Sequence, residues 1–160
     1  MDVSVEGIGP ELTGQALKLE LVKEQQQVRA LAARDREVRA HEQAHAAVGG
    51  QYAGSPHYNY TQGPNGVRYA DSGHVNIDIS PVPNDPQATL EKMQTVARAA
   101  LAPAEPSPQD RAVAAKANQE AAKARAELAN QVNEEGSKIL KNQNSHQVGS
   151  TAGSVIDLLV

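Results

Sequence analysis

The chain has 160 residues and a formal net charge of −4, and it contains no cysteine, phenylalanine or tryptophan. This length predicts one domain with tails, and the missing cysteine excludes disulfides and thiolate-zinc sites. The mild negative charge gives no reason to expect nucleic acid or an anionic membrane as a partner. Because the sequence shows neither a signal-peptide pattern nor an apolar run that could span a bilayer, the cytoplasm is the default expectation.

A long helix is predicted after a flexible leader of residues 1–14. It begins near Leu12 or Gln15 and ends at Gly49-Gly50, since glycine readily adopts the positive φ that stops a helix. Apolar residues recur along it near helical spacing, at Leu17, Leu21, Val28, Leu31 and Val38.

The next segment alternates apolar and polar residues, as strands do. A hairpin is predicted over residues 57–62 and 67–71, with the turn sequence GPNG at residues 63–66 between its strands. A third strand is expected over residues 74–79, where Val75, Ile77 and Ile79 share one face. The result would be a small antiparallel meander, packed by its apolar face on the long helix.

Two further helices are predicted after the prolines at residues 80–83. Asn84 or Asp85 caps the first helix, and its apolar stripe is Leu90, Met93, Ala97 and Leu101. Ser107 caps the second, with Pro108 at its first position and Asp110 at its third. This alanine-rich helix is expected to end near Asn133. The predicted fold is α+β, with one domain over residues 15–135, a core of about 28–118 and a polar, mobile tail over 136–160.

The motif H-E-x-x-H at residues 41–45 is the strongest functional signal. A helix places His41 and His45 on one face, so that both can bind the same metal ion, usually zinc. In zinc peptidases the glutamate of this motif, here Glu42, is the general base that activates a water molecule. The competing interpretation is a solvated helix with two surface histidines.

A catalytic zinc needs a third protein ligand. The metzincin pattern fails, because Val48 and Gln51 stand where it requires glycine and histidine. Our first choice is His74, which follows a tight turn, although it would face away from the helix if it lay within a regular strand. Other candidates are His57 and Asp78 in the β segment, and Glu91 and Asp110 on the later helices.

With zinc bound, Glu42 would take a proton from water and pass it to the leaving amine. Tyr58, Tyr60 or Tyr69 could stabilise the oxyanion, but packing on a sheet face is the favoured role for each. An edge of the small sheet could also pair with an extended peptide.

Residues 34–45, RDREVRAHEQAH, resemble the SprA-related family, bacterial proteins described as zinc metallopeptidases on the strength of the H-E-x-x-H motif. The likeness continues through GGQY at 49–52, GPNG at 63–66, VNID at 75–78, SPVP at 80–83 and ALAPAEPS at 100–107, and it covers roughly residues 28–118. It implies zinc ligands at His41 and His45 and a base at Glu42. Where the family pattern has Gly-Gly-Glu-Val, this chain has SGHV at 72–75, and since glutamate and histidine both bind zinc, His74 is retained as third ligand.

The sequence therefore predicts a zinc-dependent metallopeptidase acting on a peptide or protein substrate, with a homodimer permitted by the long helix. The alternative is a non-catalytic metal-binding or helical scaffold module. A substitution of Glu42 would distinguish the peptidase from the non-catalytic module, because a structural metal site does not need a carboxylate beside the metal.

Overall fold

A computed structural model describes residues 10–147 of the chain, and the side chains of residues 14–142. Two strands and three helices make up the described part, and a 3-10 turn at Gly50–Tyr52 follows the first helix. The leader up to residue 9 and the tail from residue 148 lie outside the described residues. The predicted α+β fold is confirmed, with the elements α1 (Pro10–Gly49), β1 (His57–Gln62), β2 (Arg68–His74), α2 (Pro86–Ala100) and α3 (Pro108–Gln147).

The helix α1 ends at the predicted glycine pair. Gly50 has a φ of 51°, a left-handed conformation that few other residues adopt. Gly49 is needed for close approach, since a Cβ there would lie 2.5 Å from the Cβ of Ala53. The pair thus lets the chain turn back sharply beside the end of the helix.

The sheet is a two-stranded antiparallel hairpin in which His57 pairs with His74 and Gln62 pairs with Arg68. The third strand predicted over residues 74–79 is absent from the described structure. Its first residue, His74, is the last residue of β2, and beyond it the segment makes one β contact, a bridge between Ile77 and Ala53. The reason is that its backbone bonds to the loop after α1, with Gly54 N 2.8 Å from the Asn76 oxygen.

The hairpin is fixed to α1 through polar contacts just before the H-E-x-x-H motif. The Asp35 carboxylate accepts hydrogen bonds from the Ala70 backbone N at 2.8 Å and from Arg39 Nε at 3.0 Å. Arg34 Nε donates to the Asp71 carbonyl oxygen at 3.1 Å. These hydrogen bonds lower the pKa of Asp35, and the bond from Arg39 has a larger effect than the bond from the Ala70 N–H. Ala70 is fully buried, and its hydrogen bond to Asp35 holds β2 against α1.

The helices α2 and α3 pack on each other through alanines, which allow close approach. Met93 and Val96 are the largest fully buried side chains, and they form a cluster with Ala97, Ala117 and Ala121. Asp85 caps α2 as predicted, accepting from the backbone N of Ala88 at 2.8 Å.

Two helix predictions differ from the structure. Leu101 is the C-cap of α2 and is 47 % exposed, so it does not continue the apolar stripe. The helix α3 runs through Gly136 to Gln147 rather than ending near Asn133. A single glycine inside a helix costs only about 1 kcal/mol relative to alanine, so Gly136 does not end α3.

Candidate metal centre

His41 and His45 lie one turn apart on α1, with their ring centroids 4.9 Å from each other in a T-shaped arrangement. His45 is 3 % exposed, while His41 lies at the cleft surface. This is the geometry that the four-residue spacing predicts for a helix. Both imidazoles turn toward the beginning of α3.

Asp110 at the beginning of α3 completes a group of three possible metal ligands. Its Oδ2 lies 3.3 Å from His41 Nε2, and its Oδ1 lies 3.4 Å from His45 Nε2. One potential ligand atom from each residue lies within 4.8 Å of the others. Ligands bound tetrahedrally at about 2.0–2.1 Å are separated by about 3.3 Å. Each of the two contacts, which involve different oxygens of Asp110, therefore has the length expected between neighbouring zinc ligands. They are longer than the roughly 2.7–2.9 Å of a charge-assisted hydrogen bond. The donor set therefore fits a divalent metal ion.

The orientation of His45 is set by the end of α2. Its Nδ1 lies 2.9 Å from the carbonyl oxygen of Ala99. A carbonyl can only accept, so Nδ1 carries the hydrogen and Nε2 is the nitrogen that faces Asp110. A second hydrogen bond of this kind is the usual way in which proteins orient a metal-binding histidine.

Asp110 is held by the capping box at the start of α3. The Ser107 backbone N donates to Asp110 Oδ2 at 2.7 Å, and the Asp110 backbone N donates to Ser107 Oγ at 3.1 Å. Burial raises the pKa of Asp110, but the hydrogen bonds from Ser107 and the nearby histidines outweigh it, and the net result is a lowered pKa. The carboxylate is thus kept in the ionised form that binds a cation.

Glu42 is 5 % exposed and packs against β2. A Cβ at Gly73 would lie 2.7 Å from Glu42 Cγ and 2.9 Å from the carbonyl oxygen of His57, so only glycine fits there without a shift. Among the described residues the Glu42 carboxylate makes no ion pair, and Glu42 borders the same cleft as the two histidines. Glu42 therefore lies at the cleft without a charged partner among the described residues.

A cleft of about 670 Å³ joins these groups. It is bordered by α1, the end of β2, the segment after β2, and the connector from α2 to α3. This volume lies within the range of about 300–1,000 Å³ that holds small molecules and short peptide segments in other proteins.

His74, our first choice for the third ligand, also borders the cleft but lies outside the group of three. It is the last residue of β2, is exposed, and stacks on His57 with 5.2 Å between ring centroids. Asp78 instead pairs with Lys92 Nζ at 2.7 Å, and Glu91 accepts a hydrogen bond from Gln87. The choice of His74 as ligand stays a prediction that metal analysis of variants can decide.

The tyrosines proposed for the oxyanion do not border the cleft. Arg39 lies over the rings of Tyr58 and Tyr60, with 5.0 and 5.8 Å to the centroids. The Tyr69 hydroxyl accepts a hydrogen bond from Asn65 at 2.8 Å. Packing on the hairpin, the role favoured from the sequence, accounts for all three.

The sequence offers Asp110 only as one of several candidate carboxylates. Nothing in its local pattern separates the capping role from a role in binding metal, because the two histidines lie far away in the chain. The one available signal was its place at the third position of a helix, where a side chain turns back toward the helix N-terminus. In the structure the Asp110 carboxylate contacts Ser107 in the capping box and also lies beside the two histidines.

Of the comparisons with known proteins, the one with protein families found a match. No curated protein and no solved structure matches the chain. No helix within residues 10–147 combines the length and apolar character needed to cross a bilayer. A family model matches residues 11–157, a longer stretch than the resemblance over residues 28–118. By this match over nearly its whole length, the chain belongs to the SprA-related family.

Proposed function

We propose that the protein is a zinc-dependent peptidase in which His41, His45 and Asp110 hold the metal ion and Glu42 is the general base. The observation that carries the proposal is the spacing of 3.3 and 3.4 Å between the Asp110 oxygens and the two histidine nitrogens, with Glu42 at the same cleft. Three protein ligands leave a fourth position open, as in catalytic zinc sites. Family membership is consistent with this function.

A bound zinc ion would supply the charge that acidifies a water molecule and polarises a substrate carbonyl. Glu42 would accept the proton of that water and donate it to the leaving amine. The hydrogen bond from His45 to Ala99 and the contact of Ser107 with Asp110 would keep the ligands in place during the reaction. The packing of Glu42 on Gly73 restricts where its carboxylate can move.

The substitution Glu42→Gln tests the proposal, because it keeps the size of the side chain and removes the base. The variant should bind one zinc per chain, as the wild type does, and lose hydrolysis of a fluorescently labelled unfolded protein by at least about a hundredfold. Glu24→Gln, the same change at an exposed position of α1, is the control and should keep full activity. Equal hydrolysis by Glu42→Gln and wild type would reject the proposed base.

A non-catalytic metal-binding module is the second candidate. It is favoured by the hydrogen bonds that hold His45 to Ala99 and Asp110 to Ser107. Such a protein would bind zinc and be stabilised by it, and no peptide would be hydrolysed. Full zinc occupancy together with no cleavage of any peptide in a diverse library would favour this module over the peptidase.

A further inference from the structure

The segment after β2 and the start of α3 form an apolar wall of the cleft. Val75, Ile77 and Val113 border the cleft and are each only partly buried, and we call these three residues the aliphatic wall. Val113 lies one helical turn beyond Asp110, so it extends from the metal group along the same face of α3.

The aliphatic wall is held in place from behind. Ile77 and Val113 both pack against the buried cluster that contains Met93 and Val96. The segment that carries Ile77 is tied to the loop after α1 by hydrogen bonds of 2.8 Å, from Gly54 N to the Asn76 oxygen and from Asp78 N to the Tyr52 oxygen. Val75 and Ile77 of this segment therefore line one side of the cleft, and the segment does not form a third strand.

The cleft in front of the aliphatic wall also has small residues on its border. Ala100, Ala102 and Pro103 line it, its charged border includes Arg34 and Glu105, and no tyrosine borders it. Ala100 directly follows Ala99, which holds His45, so this space adjoins the metal group. An aliphatic side chain would fill it with apolar contacts, whereas a charged one would lose its hydration without a partner on the wall.

We propose that the aliphatic wall is a specificity subsite, and that it takes an aliphatic side chain next to the bond that is cleaved. The proposal rests on the peptidase function proposed above and names its substrate class: extended peptides with Leu, Ile, Val or Met beside the scissile bond. The wall contributes selectivity, while His41, His45, Asp110 and Glu42 contribute the chemistry.

The test uses blocked peptides that differ only in one central residue, which is Leu, Ala, Lys or Asp. Binding to the metal-free protein is measured by fluorescence anisotropy, and hydrolysis is measured with the zinc-loaded protein. The wild type should favour the Leu peptide over the Asp peptide by about tenfold or more, the usual discrimination by an apolar pocket. Val75→Asp should abolish this preference and favour the Lys peptide.

Val75 is the residue to change, because it lies outside the buried cluster that Ile77 and Val113 support. Val67→Asp is the matched control, since Val67 is 48 % exposed in the hairpin and does not border the cleft. It should leave the order of the four peptides unchanged. If Val75→Asp does not fold, Val75→Thr keeps the shape of the side chain and should still narrow the Leu-over-Asp ratio.

The outcomes separate the subsite from the reaction. Cleavage with equal use of all four peptides, or an unchanged order in the Val75 variants, would overturn the subsite and leave the peptidase intact. Selective binding of the Leu peptide by the metal-free protein, without cleavage by the zinc-loaded form, would support the subsite and reject the peptidase.

Discussion

The Nε2 atom of His41 lies 3.3 Å from Oδ2 of Asp110, a residue 69 positions further along the chain. This contact brings the start of α3 to the H-E-x-x-H motif of α1. It also brings a third possible metal ligand to the two histidines of the motif.

Asp110→Ala should lower zinc affinity by more than about 100-fold, the upper end of the loss caused by an outer-shell partner. His74→Ala should keep one zinc per chain, since His74 lies outside the group of three. Elemental analysis and competition with a zinc chelator measure both quantities. The reverse result, with zinc lost in His74→Ala and kept in Asp110→Ala, would identify His74 and not Asp110 as the third ligand.

Zinc binding should stabilise the folded protein. A free zinc concentration about 100 times the Kd adds about 2.7 kcal/mol to the free energy of unfolding, and a chelator removes that stabilisation. Thermal unfolding of the wild type should therefore shift upward with zinc, whereas Asp110→Ala should show little shift. An identical curve with zinc and with chelator would indicate a helix whose two histidines bind no metal.

Ser107 is predicted to position Asp110 as well as cap α3. Ser107→Ala should cost about 1 kcal/mol of stability, because Ser107 Oγ no longer accepts from the Asp110 backbone N. The loosened first turn should also weaken zinc binding by about tenfold, a small loss because the backbone N of residue 107 still donates to the Asp110 carboxylate. Asp85→Ala is the matched control, because it removes the side-chain cap of α2, which accepts from the Ala88 backbone N. It should cause a similar loss of stability with unchanged zinc affinity. Equal zinc affinity in both variants would limit Ser107 to capping.

Gly73→Ala should disturb the general base. The added Cβ would lie 2.7 Å from Glu42 Cγ and 2.9 Å from the His57 carbonyl oxygen, so either the side chain or the strand must move. We expect a loss of about 1–3 kcal/mol in stability, as for other overpacked sites, together with reduced hydrolysis. Gly54→Ala is the control, since its nearest contact would be an ordinary 3.5 Å. An unchanged rate in Gly73→Ala would show that Glu42 can relocate freely.

Asp78 should make stability depend on pH below about 4. The hydrogen bond from Lys92, followed by those from Ser80, lowers the pKa of Asp78 from 3.8 to about 2. Since the folded-state pKa lies below the unfolded one, ionised Asp78 stabilises the fold above about pH 4. That contribution disappears as the pH falls toward 2.

The substitution Asp78→Asn measures this contribution. It should cost about 1 kcal/mol at pH 7, a modest value because the Asp78 side chain is 56 % exposed and solvent screens the pair. Urea unfolding at several pH values should show the difference from wild type shrinking between pH 4 and pH 2. A difference that stays constant over this range would assign the effect to packing instead of the ion pair with Lys92.

The parts of the fold that sequence could predict are the ones fixed by neighbouring residues. The Gly49-Gly50 stop, the GPNG turn and the caps at Asp85 and Ser107 each depend on a few adjacent residues, and each lies where it was expected. The segment at residues 74–79 has the alternation of a strand, but its backbone partners come from the loop at Ala53. Periodicity reports which face is apolar, and it does not identify the partner.

The sequence could likewise predict only part of the candidate site. The spacing of His41 and His45 is a local property of one helix, so the pair could be predicted. Asp110 could not be selected, because its distance to the pair depends on how α2 and α3 pack together.

The alanine seam between α2 and α3 gives this protein an unusual response to mutation. Ala97 of α2 is buried in one cluster with Ala117 and Ala121 of α3. In most cores the harmful changes are truncations that leave a void, but an alanine has little to lose. Here the damaging substitutions are those that add atoms and push the two helices apart. Because Asp110 lies on one of those helices and the other carries Ala99, which holds His45, an enlarged side chain in the seam would also shift the proposed ligands without contacting them.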